Sequence, residues 1–353
     1  MDPKKPRKSP VTAPSNFVLR SARPDDLDDV YRLARHLDSY NLPADRSRLR
    51  VLLADSVRSF AGRPPSHPRE KFLFLLEDRT LGRVVGSSLV IAQHGTQGLP
   101  HLFLQSFVER RRSRTLGRSV DHRCLKLGWT DRGPTELGGL VLLPSYRGRP
   151  EKLGHWLSYV RLLFIAARRR RFRPRLLAEY LPAFAKNGVS PFWEYFGKKF
   201  TGLDYRTADR LSIDNKEFIV SLFPSGTLYQ DFFPEEVVRY LGQVGNPSLP
   251  AAQLLRKAGF AYCSQIEPFD GGPYFEADTD RVPLVRRARR TAWAVNSTPA
   301  ETRRLVLVDR GGEVRARMAP AALGGGRLRL PPTAAASLDL RPGETVWSVG
   351  VDR

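Results

Sequence analysis

Glu136-Leu137-Gly138-Gly139-Leu140-Val141-Leu142-Leu143, followed by Pro144-Ser145-Tyr146-Arg147-Gly148-Arg149-Pro150-Glu151-Lys152-Leu153-Gly154, is the stretch on which the fold turns. The first eight residues carry one charge, at their start, and read as an apolar strand. The run of Gly, Pro and Arg behind them reads as a turn. Trp156, Val160, Leu163, Phe164 and Ala167 then recur near one helical face, and Leu176-Leu177-Ala178-Glu179-Tyr180-Leu181 is the next strand candidate. Strand, turn, helix and strand make a βαβ-like unit. The free N–H groups and dipole of a helix N-terminus favour anions, so Arg147, Gly148, Arg149 and Gly154 are candidates for holding a pyrophosphate. Turn geometry and solubility account for the same residues equally well.

Toward the amino terminus, Phe17–Arg20 has strand character, and Arg23-Pro24-Asp25-Asp26 caps a helix on which Leu27, Val30, Leu33, Ala34 and Leu37 recur. A helix near 46–60 precedes two apolar runs, Lys71–Glu77 and Arg83–Ile91, separated as in a hairpin. Residues 1–15 are basic and proline-bearing and read as a flexible arm. The stretch 106–135, interrupted by Arg110-Arg111-Arg112 and Arg114, reads as an excursion carrying a loop and a short strand.

Toward the carboxyl terminus, Arg168-Arg169-Arg170-Arg171 ends the long helix, where cations complement the macrodipole. Helices are expected at Ser190–Lys199, Pro234–Val244 and Ala251–Ala258, and a strand at Lys216–Phe223. From 286 the chain alternates short β-rich stretches, Arg304–Val308, Glu313–Ala316, Arg327–Leu330 and Thr345–Gly350, with Gly and Pro turns, which predicts a small β-rich subdomain over 286–353.

Composition narrows the class. With 353 residues, 41% of them hydrophobic, the chain can bury one large core or two smaller ones. No run approaches the roughly 18 apolar residues of a membrane span, and the amino terminus lacks the apolar segment of a signal peptide. Cys124 and Cys263 are far apart and have no partner at metal-ligand spacing, so neither a disulfide framework nor a metal site is expected and a reducing cytoplasm fits. The net charge of +22 would suit a polyanion, but arginine is spread over the whole length and no nucleic-acid motif accompanies it. A compositional bias toward arginine is the simpler account.

Ser190-Pro191-Phe192-Trp193-Glu194-Tyr195-Phe196-Gly197-Lys198-Lys199-Phe200 resembles the S-P-F-W-x-x-x-G-x-x-F signature of the arginine N-succinyltransferase family. The similarity continues through Leu203–Asp209, Lys216–Ile219, Gly242-Gln243-Val244 and Phe269-Asp270-Gly271-Gly272-Pro273, with Glu276 close behind. Upstream it includes Leu42–Asp45, Phe74–Asp78 and Glu136-Leu137 with Leu140 and Pro144. It covers roughly 17–285, with 95–135 divergent.

The resemblance implies an α+β fold of the GNAT type, a mixed sheet flanked by helices, with residues 16–285 as the acyltransferase region. The implied reaction is transfer of succinyl from succinyl-CoA, the co-substrate, to the α-amino group of arginine, or ornithine, in arginine catabolism. The partners implied are therefore an acyl-CoA and an amino acid, with a homo-oligomer or a heteromer with a homologous subunit also possible. Leu140 matches the family's succinyl-CoA contact. Glu136 is a candidate base for the amine, directly or through water, or else a strand-end surface carboxylate. Glu179, Lys216 and Asp270 are candidates for contacting an arginine-like substrate, or else structural ion pairs.

The family places a proton-donating histidine directly after Gly-Gln-Val, where Gly245 stands here. Tyr229, Tyr240, Cys263 and His155 are candidate substitutes. A thiolate leaving group, with a thiol pKa near ~8.5, depends less on such an acid than an alkoxide does. Alternatives therefore stay open: a relative with a changed amine or acyl substrate, or a non-catalytic partner subunit. Restoring histidine would raise turnover unless Gly245 is there for a backbone with φ > 0.

Overall fold

Sixteen strands line up edge to edge in one mixed sheet among the described residues, which in this computed structural model are 16–37, 41–64, 69–182, 189–296, 300 and 302–351. The basic arm over 1–15 lies outside them. β1 (Phe17–Ser21) pairs antiparallel with β2 (Lys71–Asp78), and β2 pairs with β3 (Arg83–Ile91) in the hairpin legible from the sequence. β4 (His101–Ser113) and β5 (Arg118–Thr130) form a long ribbon. β6 (Thr135–Leu142) returns beside β3, and β7 (Arg175–Glu179) lies parallel to β6. β8 (Leu228–Tyr229) edges the ribbon, while β9 (Ala261–Ile266) and β10 (Pro273–Asp278) join the ribbon to β7. The carboxyl-terminal strands are β11 (Arg289–Val295), β12 (Arg303–Asp309), β13 (Val314–Pro320), β14 (Ala322–Gly324), β15 (Arg327–Leu330) and β16 (Thr345–Gly350). They extend the same sheet, because β13 pairs with β1 through Leu19 and Ala316.

Alternation along β2 shows why the sheet needs a helix layer on each side. Leu73 and Leu75 pack with Val30 and Leu33 of α1 (Leu27–Ala34) and with Leu49 and Leu53 of α2 (Arg46–Phe60). Phe72 and Phe74 point the other way, onto Trp156, Val160 and Phe164 of α3 (Leu153–Ala167). Burying each such side chain is worth about 1.5–3 kcal/mol, so the period-2 pattern decides the layering. Asp45 caps α2 by accepting from the Ser47 and Arg48 amides at 2.8 and 3.0 Å.

Three stretches differ from the sequence reading. Residues 106–135 are mostly ribbon, with two long strands in place of a loop and a short strand. Beyond Phe107 and Cys124 the ribbon's residues are mostly exposed, so no apolar alternation is required. Cross-strand charge serves instead, as where Arg110 grips Asp121 at 2.6 and 2.7 Å. The expected strand at Lys216–Phe223 is a helix over Glu217–Leu222, begun by Asn215 accepting the Glu217 amide at 2.8 Å. A short apolar run has no period that distinguishes the two, and here Ile219 and Phe223 reach the same cluster as Trp193 and Phe196 only from a helix. The helix expected over Pro234–Val244 stops at Val238, and the Gly242 amide then donates to the Gly271 carbonyl at 2.8 Å.

Three of the four arginines in the run after α3 are paired within the chain. Arg168 makes a two-pronged pair with Asp309, both contacts at 2.6 Å, Arg169 does the same with Asp280, and Arg171 pairs with Glu70. These forks tie α3 to β12 and to the loops around it. No described helix is long and apolar enough to cross a membrane.

Candidate functional site

β6 and β7 are paired only at Thr135 with Leu176 and at Glu136 with Leu177, after which they separate. The divergence has a local cause. Against β3 the register of β6 shifts between Ser87 and Leu89, where Gly139 adopts φ +56. A β-carbon on Gly139 would also sit 2.9 Å from the Leu89 side chain, so both conformation and space require glycine. Ser87 Oγ donates to the Gly139 carbonyl at 3.0 Å and holds the bulge. Leu140 is next in the chain, half-buried at the fork, with its side chain against the main core.

On the face of the fork away from α3, Glu136 is buried, and both its oxygens are taken, one by the Asn41 side-chain amide and the other by His94 Nδ1. Burial alone would raise the Glu136 carboxyl, but the adjoining His94 and the two hydrogen bonds outweigh it and hold it below its ordinary range. Burial holds His94 below its ordinary value, with Glu136 opposing. The pair is thus a carboxylate and a neutral imidazole. An ionised carboxylate only accepts, so Nδ1 carries the proton and Nε2 keeps its lone pair.

Beside this pair, Tyr274 lies opposite Glu179 in the β7–β10 ladder, and the His101 ring stacks on Tyr274 at 5.4 Å and meets His94 edge-on at 4.6 Å. Both His101 nitrogens and Glu179 Oε1 are buried with no hydrogen-bond partner. Glu179 is pushed well up by burial and by the charges of Glu136 and Glu267. Burial and Asp270 do the same to Glu267, and Asp270 is pushed up to about 7 by burial and by Glu179 and Asp209. Lys216 acts electrostatically on Glu179, Glu267, His94 and His101 alike. The sequence-selected Glu136, Glu179, Lys216 and Asp270 therefore belong to one cluster. His94, His101, Glu267 and Tyr274 were missed because they lie outside the segments that carry the resemblance or are unremarkable within them.

The matched segments build the wall that holds Asp270. Ser190 Oγ donates to the Phe269 carbonyl at 3.0 Å and accepts the Trp193 amide at 3.1 Å, and the Trp193 ring stacks on Phe269 at 4.9 Å. Trp193 opens a π-helical turn, Trp193–Gly197, inside the expected helix, and a β-carbon on Gly197 would lie 2.2 Å from the indole. Gly272 sits so close to the strand end that its β-carbon would lie 2.2 Å from the Tyr180 carbonyl, and its amide donates to Asp270 Oδ1 at 2.7 Å. The signature is therefore scaffold, and Asp270 is what it carries.

Arg147, Gly148, Arg149 and Gly154 lie apart from the carboxyl cluster, on the turn into α3. Arg147 Nε donates to the Leu142 carbonyl at 3.0 Å, and the Arg149 guanidinium lies over the Tyr146 ring at 4.3 Å. Gly148 takes φ +70, no atom crowds either glycine, and Lys152 at the N-cap of α3 supplies no side-chain cap. A cleft of about 480 Å3 lined in part by Arg32, Arg83, Leu143 and Tyr146 opens beside this turn. A larger groove of about 660 Å3 runs between the ribbon and Tyr262, and none of the four carboxyls lines it.

Gly245 adopts φ −66 and ψ 150, which any residue tolerates, so a positive φ is not why glycine stands there. The reason is space. Its amide donates to the Leu181 carbonyl at 2.8 Å, and a β-carbon would lie 2.4 Å from the Pro182 carbonyl oxygen. Of the substitutes considered, Tyr229 donates to Glu109 at 2.7 Å, and the Tyr240 hydroxyl accepts the Phe192 amide. Cys263 lies 3.3 Å from the Tyr274 carbonyl, with burial pushing its thiol up to about 12. His155 meets the Tyr159 ring edge-on at 5.6 Å in the first turn of α3. The first three are each engaged by another group.

Chemically, the cluster offers a neutral imidazole next to three buried carboxyls, with Lys216 close enough to act on two of them. His94, His101 and Glu179 also bring one ligand atom each within 4.8 Å of one another, a spacing open to a metal ion or to a cationic group. Burial favours the neutral form of a carboxyl, so three raised carboxyls in one place mark a candidate ligand site.

The family model for the arginine N-succinyltransferase beta subunit matches residues 17–284. An arginine N-succinyltransferase of Yersinia pestis is 33% identical over 346 residues, covering 94% of this chain and 97% of its own. One from Escherichia coli is 31% identical over 277 residues, covering 77% and 79%. The solved arginine/ornithine succinyltransferase subunit AI from Pseudomonas aeruginosa superposes with a TM-score of 0.82 at 26% identity, over 96% of this chain and 100% of that one.

Proposed function

The chain belongs to the arginine N-succinyltransferase family, and from that premise we propose that it transfers succinyl from succinyl-CoA to the α-amino group of arginine, or ornithine, in arginine catabolism. The observation that carries the reading is the buried group Glu179, Glu267 and Asp270, each pushed up by burial and by its acidic neighbours, with Lys216 close enough to act on the first two. A guanidinium and an α-carboxylate are the complementary charges: the carboxyls take the first and Lys216 the second. His94 Nε2 accepts the proton of the substrate ammonium, with Glu136 holding the imidazole in the required tautomer and stabilising its charged form. The freed amine bonds to the thioester carbon, the C–S bond breaks, and the departing thiolate takes up the second nitrogen proton, so that the amide is neutral and CoA leaves as thiol. Main-chain groups of β6 around Leu140, unpaired by β7, face the thioester oxygen.

On the other side of the fork, Arg147, Gly148, Arg149, Gly154 and the uncapped first turn of α3 receive the CoA pyrophosphate. Residues 16–285 carry this chemistry, and 286–353 form a β-rich extension. The family's description as a beta subunit supports an oligomer, either of this chain or with a homologous one. Two free thiols suit a reducing cytoplasm. Gly245 favours a second reading, a relative with a changed substrate or a non-catalytic subunit. Free-CoA release and product mass, with succinyl-CoA against a panel of amino acids, decide between them. Succinylarginine or succinylornithine is expected, and release with neither amine overturns the first reading.

A further inference from the structure

Arg161 lies in the middle of α3, 1% exposed, on the face of the fork opposite the carboxyl cluster. Its Nε donates to the Ser158 carbonyl at 3.2 Å, Nη2 to Ser158 Oγ at 3.2 Å, and Nη1 reaches the Gly138 carbonyl at 3.5 Å, one residue before the bulge. None of these partners carries a charge. Arg20 makes the contrast within the same molecule: it too is buried, but it meets Asp26 at 2.7 Å and Glu77 at 2.6 Å. Burial lowers Arg161 to about 10, whereas its two carboxylates raise Arg20 despite burial. A buried guanidinium that gains only neutral acceptors has given up its hydration without compensation.

Tyr180 follows β7 on the opposite arm of the fork and is buried in the same core as α3. Its hydroxyl has no hydrogen-bond partner, and it is near enough to act on Arg161 electrostatically. Two donors, one of them charged, thus lie within electrostatic reach of each other where β6 and β7 part, and no carboxylate is bonded to either among the described residues. A ligand carboxylate completes the arrangement: the guanidinium offers it a planar fork and the phenol a further O–H. The position fits the acyl end of the donor, because Gly138 and Leu140 flank the bulge along which the thioester lies in the proposed function, on which this step rests.

We propose that Arg161 and the Tyr180 hydroxyl bind the distal carboxylate of a dicarboxylic acyl group and so determine selectivity for succinyl-CoA over a monocarboxylic acyl-CoA of equal length. The amine then approaches from the Glu136 face and the acyl carboxylate anchors on the α3 face, with the reacting carbon between them.

The test compares succinyl-CoA with butyryl-CoA, which matches it in chain length and lacks the carboxylate, by calorimetric binding and by kcat/KM with arginine. The proteins are the native chain, Arg161→Met and Tyr180→Phe. Arg161→Met removes an uncompensated buried charge and should keep or raise Tm. The native chain should prefer succinyl-CoA, and Arg161→Met should reduce that preference roughly 30-fold or more, with a smaller loss for Tyr180→Phe. Equal losses with both donors, or an unchanged ratio, overturn the inference while leaving the acyltransferase reading intact. Binding of neither thioester by the native chain overturns both. If Arg161→Met melts well below the native chain, the binding preference of native protein and Tyr180→Phe decides: no preference for succinyl-CoA in the native chain refutes the assignment.

Discussion

Introducing histidine at Gly245 should cost stability and gain no turnover, and the reason is a distance. A β-carbon there meets the Pro182 carbonyl oxygen at 2.4 Å, its carbon at 2.7 Å and the Leu181 oxygen at 2.9 Å, all of them backbone. To relieve the contact the 181–182 segment must move, which lengthens the 2.8 Å bond from the Gly245 amide to Leu181. Overpacking costs about 1–3 kcal/mol and a lost backbone hydrogen bond about 0.5–1.5 kcal/mol, so a penalty of about 2–4 kcal/mol is expected. With an unfolding entropy of about 2.1 cal/mol/K per residue over 353 residues, Tm should fall by roughly 3–5 °C. Gly245→Ala should lose nearly as much, because the first carbon carries the clash. Melting curves and steady-state rates with arginine and succinyl-CoA on the native, Gly245→Ala and Gly245→His proteins check this. A Gly245→His protein with native Tm and turnover raised by roughly 10²–10⁴-fold would refute it and would mean that an aimed acid is what the site lacks.

Five further outcomes follow from the site. The acyl-transfer rate should fall as pH drops through the His94 pKa, which burial holds below the ordinary 6.5; Glu136→Gln removes both influences that raise it, so the midpoint should move to lower pH while the limiting rate drops. Arginine should bind more tightly as pH rises through about 7 and should release protons on binding, seen by calorimetry in buffers of different ionisation enthalpy, because Asp270 is protonated below that pH. The folded pKa of Asp270 is raised, so its contribution to apo stability is complete below about 3.8 and is lost as pH rises toward about 7; apo Tm should decline across that window from this group, and arginine should offset the decline. Arg147→Ala and Arg149→Ala should each raise KM for the acyl-CoA several-fold with kcat nearly unchanged, and a kcat loss with unchanged KM would contradict the pyrophosphate assignment. Gly197→Ala should lower Tm, because its β-carbon would enter the Trp193 ring at 2.2 Å, and native stability in that variant would show that the π-helical turn can relax.

What was legible in the sequence depended on whether one chain segment carried the information. The 136–154 strand and turn, with the helix behind them, could be read because a buried strand and a buried helix each impose a period on consecutive residues. The ribbon could not, since beyond its base, where Leu102, Leu104 and Leu125 pack in the Trp193 cluster, it is mostly exposed and no period is imposed, and 217–222 was too short for a period to choose between strand and helix. The site divides on the same line. Glu179 and Asp270 were accessible through segments whose neighbours are constrained by packing: Ser190 on Phe269, Trp193 on Phe269, Gly272 on Tyr180. His94 has no such neighbours in sequence. Its role exists only because Gly95 with φ +81 and the hydrogen bond from its own amide to Pro134 turn the chain back, bringing its Nδ1 to Glu136, 42 residues away. Arg161 is the converse case: it sits on an apolar helix, and only its depth beneath the fork, without a carboxylate, marks it as awaiting one. The residues that fold the site are thus local and visible in the sequence, as are Glu136, Glu179, Lys216 and Asp270 through the segments they sit in, whereas His94, His101 and Arg161 are defined by what lies across the fork, a relation between segments that no single segment encodes.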